Sequence, residues 1–137
     1  MSGTDVDQLR TIPLFADVDE AHLEAMAAMA TTFEVEAGYV LAERGQPGTG
    51  MFVVLEGTVE VVLPDAPSVQ LGPGEFFGEL SLLTDSNRLA RVRAVTPVRA
   101  LAIERSAFLE LIREEPRIAL AMLPVLARRL AAAETGP

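Results

Sequence analysis

The apolar positions of this chain change period twice. Over the first thirty residues they recur at helical intervals, and in ADVDEAHLEAMAAMA the residues Leu23, Met26, Ala27 and Ala30 fall along one helix face. Asp17 followed by Glu20 has the spacing of a capping box and predicts the start of that helix. Before it, TDVDQLRTIPLF predicts a short helix stopped at Pro13. From residue 31 the period falls to two. TTFEVEAG alternates Phe33 and Val35 with acids, and GYVLAERG, MFVVLEG, TVEVVLPD, SVQLGPG and EFFG follow, with glycine or proline at the joins. LARVRAVTPVRALAI adds two alternating strands broken at Thr96-Pro97. About eight short strands at this spacing predict a compact antiparallel sandwich or barrel rather than a parallel sheet.

Helical spacing returns in ERSAFLELIREE, with Ser106 in the N-cap region and Pro116 as the stop. Pro116 then serves as the first residue of PRIALAMLPVLARRLAAAE. Pro124 inside that segment predicts a kink or a break. Arg128 and Arg129 near its end read as complements to the helix dipole and as solubilising charge. The expectation is one domain over 1–137, with a helical lead-in at 1–30, strands over 31–104 and closing helices at 105–134.

Composition narrows the functions open to such a layout. No apolar run approaches the roughly 18 residues a membrane span needs, and the acidic start lacks the apolar core of a secretory signal. With no cysteine there are no disulfides, thiolate metal sites or cysteine nucleophiles, which accords with a cytoplasmic setting. All eleven basic residues are arginine, so a P-loop lysine and Schiff-base chemistry are excluded. The single histidine, His22, is expected to face solvent. One histidine without cysteine makes neither a structural zinc site nor a Ser-His-Asp triad. The reading is therefore not an enzyme, with no metal and no cofactor. The net charge of −9 opposes non-specific binding to nucleic acid, but it is unevenly spread, since nine of the eleven arginines lie beyond residue 87.

That basic final third follows on from FFGELSLLTDSNRLA, where Glu79 and Arg88 stand among apolar and small residues. Gly78 lets a ligand approach the backbone, and the N–H groups of Gly78 to Ser81 open a helical turn, a natural anion site. Arg88, beyond a short loop, can grip a phosphate through two N–H groups. Glu79 would repel a bare phosphate but accepts hydrogen bonds from sugar hydroxyls. Singly, each residue has an ordinary structural use: dipole complement, solvated loop charge, turn glycine. Jointly they describe a site for a sugar phosphate.

FFGELSLLTDSNRLARVRA resembles the phosphate-binding cassette of the cyclic nucleotide-binding domain family, found in bacterial catabolite-activator-type regulators and kinase regulatory subunits. LRTIPLFADVDEAHLEAMA is similar to that family's helical lead-in, GYVLAERGQPGTGMFVVLEGTVEVV to its early strands, and VRALAIERSAFLELIREEPRIALAMLPVLARRLA to its closing strand and helices. The resemblance implies an antiparallel β-roll, or jelly roll (a double-stranded β-helix), with N-terminal helices, two C-terminal helices and a cassette at 76–91. It implies a ligand, cAMP or alternatively cGMP, bound by Gly78 and Leu80 through backbone N–H groups. Glu79 would take the ribose 2′-OH, Ser81 fills the small-residue position, Arg88 pairs with the cyclic phosphate, and Leu89 and Ala90 add backbone contacts. It also implies a sensor whose last helix moves as a lid, coupling the ligand to a protein effector or to a self-dimer.

Asn87, Leu89 and Arg91 depart from the residues the family often carries there. They keep two alternatives open: an interaction domain that binds no nucleotide, and a truncated activator-type transcription regulator. A helix-turn-helix would need roughly 50 to 70 further residues, so direct DNA binding is not expected of this chain.

Overall fold

A computed structural model describes residues 6–48, 50–84 and 86–134, without the side chains of 80–82, 133 and 134. The chain runs through α1 (Val6–Arg10), a 3-10 turn (Pro13–Phe15), α2 (Glu20–Met29), β1 (Thr31–Val35), β2 (Val40–Ala42), β3 (Gly50–Glu56) and β4 (Val59–Val62). It continues through β5 (Val69–Leu71), β6 (Phe76–Phe77), α3 (Glu79–Thr84), β7 (Arg91–Ala94), β8 (Val98–Glu104), α4 (Arg105–Glu114) and α5 (Arg117–Glu134). The strands form two antiparallel four-stranded sheets, ordered β1-β8-β3-β6 and β2-β7-β4-β5. This meets the antiparallel sandwich or barrel that the alternation predicted, and it is the β-roll with flanking helices that the resemblance implied.

Two apolar clusters hold the fold, and β3 and β8 divide them. Side chains alternate across a strand, so Met51 and Val53 of β3 and Leu101 and Ile103 of β8 face the helices. There they meet Leu9, Phe15, Leu23, Met26, Phe108, Ile118 and Met122. Val54, Val98 and Ala100 face the roll interior with Val59, Leu71, Val92 and Ala94. A strand buried on both faces needs apolar residues at consecutive positions, which is why MFVV and ALAI lack clean alternation. β6 repeats the division in two residues: Phe76 joins the helix-side cluster and Phe77 the interior one.

Several local expectations shift. The cap of α2 is Asp19, not Asp17, and its side chain accepts from the His22 N–H at 2.9 Å. The intervening residues are taken up by the turn after Pro13, where Val18 N–H donates to the Phe15 carbonyl. Glu104, not Ser106, occupies the N-cap of α4, with no side-chain cap bond. α1 ends at Arg10 before Pro13 is reached, and α5 begins at Arg117, one residue after Pro116. α5 is not broken at Pro124, which lies exposed within a continuous helix. The lost backbone bond and the ring's crowding of the preceding turn are offset by packing, since Ile118 and Met122 anchor α5 on the side opposite Pro124.

Candidate functional site

The cassette is built where β6 ends. Gly78 has φ +87°, the left-handed region that favours glycine. A Cβ there would also run into the Arg88 guanidinium. Glycine is thus required twice, for the turn into α3 and for the space the arginine fills. Arg88 Nη1 donates to the Gly78 carbonyl at 3.3 Å. Its guanidinium lies 5.5 Å from the centroid of Phe52, whose ring stacks on Phe77 with centroids 5.0 Å apart and meets Phe33 edge-on. Arg88 therefore stands at the interior side of the β6 sheet. Burial lowers its pKa and the Glu79 carboxylate opposes that shift, so it remains a cation in an aromatic, partly desolvated setting.

The Arg88 backbone is pinned separately from its head group. Arg88 N–H donates to the Gln46 carbonyl at 2.8 Å, and Gly45 N–H donates to the Arg88 carbonyl at 2.9 Å. A bridge between Pro47 and Asn87 extends this pairing. The loop GQPG thus fixes the arm that carries the arginine.

Glu79 is 5% exposed, and its partner comes from the far end of the chain. Arg129 of α5 donates to Glu79 Oε2 at 3.2 Å and to the Phe76 carbonyl at 2.6 Å, with its guanidinium 4.6 Å from the Phe76 ring centroid. The two arginines thus approach the cassette from opposite faces of one sheet, Arg88 beside the Phe77–Phe52 stack and Arg129 on Phe76, with the Glu79 carboxylate between them. This corrects the expectation that Arg129 serves dipole and solubility. Arg128 instead lines a groove of about 300 Å³ with Pro13, Leu14, Phe76, Pro124 and Val125. That groove leaves the middle of α5 incompletely packed against the roll, whereas Arg129 is seated on it.

Of the remaining sequence candidates, the backbones of Leu80 and Ser81 lie in the first turn of α3, and their side chains fall outside the described residues. Leu89 is 54% exposed, and Ala90 is half-buried at the entrance to β7. Arg91, which departs from the family pattern, turns away to Glu43, at 2.8 Å. Gly78, Glu79 and Arg88 are brought together, and Leu89 stands apart on the surface.

Away from the cassette, Asp19, His22 and Glu115 bring ligand-type atoms within 4.8 Å of one another. Arg117 already holds both Glu115 oxygens at 2.8 and 2.7 Å, so the cation at this node is a guanidinium. His22, expected to face solvent, has a side chain only 26% exposed.

The profile of the cyclic nucleotide-binding domain family matches residues 32–115. This chain belongs to that family. It is 39% identical over 108 residues to a cyclic nucleotide-gated potassium channel of Mesorhizobium japonicum, covering 79% of this chain and 30% of that protein. It is 30% identical over 122 residues to a CRP-like cAMP-activated global transcriptional regulator of Mycobacterium tuberculosis, covering 85% of this chain and 54% of the other. The chain therefore spans about half or less of the length of the curated relatives it matches. Among solved structures, the catabolite activator protein of Thermus thermophilus superposes with a TM-score of 0.77 at 31% identity, over 89% of this chain and 60% of that one. The regulatory domain of Toxoplasma gondii PKA with cAMP gives 0.76 at 21% identity, over 92% and 48%, and shares the fold. Among the described residues no helix is long and apolar enough to cross a membrane.

Proposed function

We propose that this chain is one domain that binds a cyclic nucleoside monophosphate, with cAMP preferred over cGMP, and reports occupancy through α5 rather than by catalysis. Arg88 pairs with the cyclic phosphate, the amides of Gly78, Leu80, Leu89 and Ala90 add hydrogen bonds, Ser81 keeps the turn small, and Glu79 accepts from the ribose 2′-OH. The observation that carries this reading is the convergence of Gly78, Glu79 and Arg88 at the end of β6 with Arg129 from α5 on the same carboxylate. A ribose that engages Glu79 meets the group that tethers α5, so ligand and helix are coupled through one side chain. The CRP-like relative is described as cAMP-activated, which supports the choice of base.

The output would pass to an effector or to a second copy of the chain. Leu120, Leu123 and Leu130 are 62%, 58% and 61% exposed, and their spacing of three and seven is that of a helix–helix seam. The domain acts in the cytoplasm.

The test is a thermal-shift titration with cAMP, cGMP and linear 5′-AMP. Ligand at 100 times its Kd adds about 2.7 kcal/mol of stability. Arg88→Ala should weaken cAMP by a charge-assisted contact of roughly 1.5–3 kcal/mol, about ten- to more than a hundredfold in affinity. Equal affinity for wild type and variant refutes the phosphate role. A second reading, an interaction domain without a nucleotide, is favoured by the Arg129 hold on Glu79, and a lack of shift with every nucleotide selects it.

A further inference from the structure

Two stretches of antiparallel pairing flank the arm of residues 88–90, which supplies Arg88, Leu89 and Ala90 to the cassette. On one side β2 pairs with β7, with Ala42 opposite Val92. On the other, Pro47 bridges to Asn87 in the same register. Between them the ladder is broken. Gln46 N–H turns back to the Glu43 carbonyl at 3.1 Å, and Gly45 takes φ +88°. The bonds from Arg88 N–H to the Gln46 carbonyl and from Gly45 N–H to the Arg88 carbonyl run across this gap.

Glu43 and Arg91 face each other at the edge of the gap. Arg91 Nε donates to Glu43 Oε2 at 3.1 Å, and its Nη2 lies 2.8 Å from Glu43 Oε1, a two-pronged pair. Glu43 Oε2 also accepts from the Arg44 N–H at 3.0 Å, so the same carboxylate holds its own turn. The hydrogen bond from Arg91 keeps the Glu43 carboxyl below its ordinary range and raises Arg91, so both charges persist at neutral pH. Val92 and Ala94 fill the roll interior, and alternation along β7 turns Arg91 outward, away from the Arg88 guanidinium beside Phe52. Arg91 thus acts on the backbone of the arm, not on a ligand.

We propose that Glu43 and Arg91 are positioning residues, whose pair bridges the broken ladder and holds the 88–90 arm in the pose from which Arg88 meets a phosphate. The role toward ligand rests on the nucleotide reading of the cassette, whereas the hold on the arm needs no ligand. An ordinary exposed ion pair contributes little, because two flexible side chains must be ordered for one contact. Here the guanidinium engages both oxygens across strands already in register, so less freedom is lost for each bond formed.

The test compares wild type with Glu43→Gln, which keeps an acceptor for the Arg44 N–H but gives up the charge. In the unliganded chain, amide exchange at Arg88 and Gly45 should quicken about three- to fivefold, the upper range for one exposed pair. The Glu115 amide, bonded to the Leu111 carbonyl away from the arm, should not change. Arg91→Gln should act alike, and the double variant should do no more than either alone. Affinity for cAMP should fall by about the same factor in each variant. The readout specific to positioning is the affinity ratio of the two phosphorothioate diastereomers of cAMP, which differ in the exocyclic oxygen that sulfur replaces. A guanidinium fixed on one oxygen separates them, and a loosened arm should narrow the ratio. Unchanged exchange at both amides, or additive losses in the double variant, overturns the pair. Quickened exchange with the diastereomer ratio intact overturns the positioning role. If wild type takes no nucleotide, the reading of the cassette falls with the role toward ligand, and exchange at these amides alone decides the hold on the arm.

Discussion

Glu79 and Glu115 are the two buried charged side chains among the described residues, each 5% exposed and each met by an arginine. The likeness ends with chain distance. Arg117 lies two residues from Glu115 and holds both of its oxygens, so the pair shapes a turn whatever the rest of the molecule does. Arg129 lies fifty residues from Glu79, and their bond exists only while α5 rests on β6. Closing a loop of that length costs conformational entropy that a local pair never meets. One bond is therefore part of a hinge, and the other is a tether whose presence records where α5 is.

The largest test of this contrast is Arg129→Ala. It strands a buried carboxylate and the Phe76 carbonyl, and should cost about 1–3 kcal/mol in urea unfolding. A double-mutant cycle with Glu79→Gln should return a coupling of about 0.5–3 kcal/mol. A coupling near zero would remove the tether.

The local pair is better probed with acid. Glu115 and Asp19 titrate below their ordinary values of 4.5 and 3.8. A depressed carboxyl contributes stability that is complete above its unfolded value and is lost as pH falls through the folded one. Melting temperature should thus hold from pH 7 to about 5 and then decline. In Arg117→Gln, where the main cause of the Glu115 shift is gone, the acid decline should be shallower. An identical acid limb in both proteins would show that this pair does not govern it.

The smallest effect belongs to Arg128→Ala, which should stay within about 0.5 kcal/mol of wild type. It is the control for Arg129, one residue away in the chain and bordering the groove instead of the carboxylate.

The antiparallel strands were legible because strand period and turn residues are local properties, whereas the two-sided burial behind MFVV followed only from how the sheets and helices pack. FGEL with a following arginine pointed to Gly78, Glu79 and Arg88, which the fold does bring together. Arg129 escaped because its partner is fifty residues away, and only a register argument could have found it. Ile118, Met122 and Val125 form the roll-facing stripe of α5, and Arg129 is the next residue on that stripe. An arginine continuing an apolar face implies a buried acceptor. His22 was misjudged for a related reason: its own helix is polar around it, and what covers it comes from α4. The cap of α2 was misplaced by two residues because Asp17 and Asp19 both suit the role, and the turn after Pro13 decides between them.

The contact between position 78 and the Arg88 head group carries a rule for how this sequence can drift. A side chain introduced at 78 would strain the turn and push the guanidinium from its seat on the Gly78 carbonyl, and a shorter residue at 88 would give up the contact with Phe52. Homologues that enlarge position 78 should therefore keep the arginine at 88 less often than those that retain glycine.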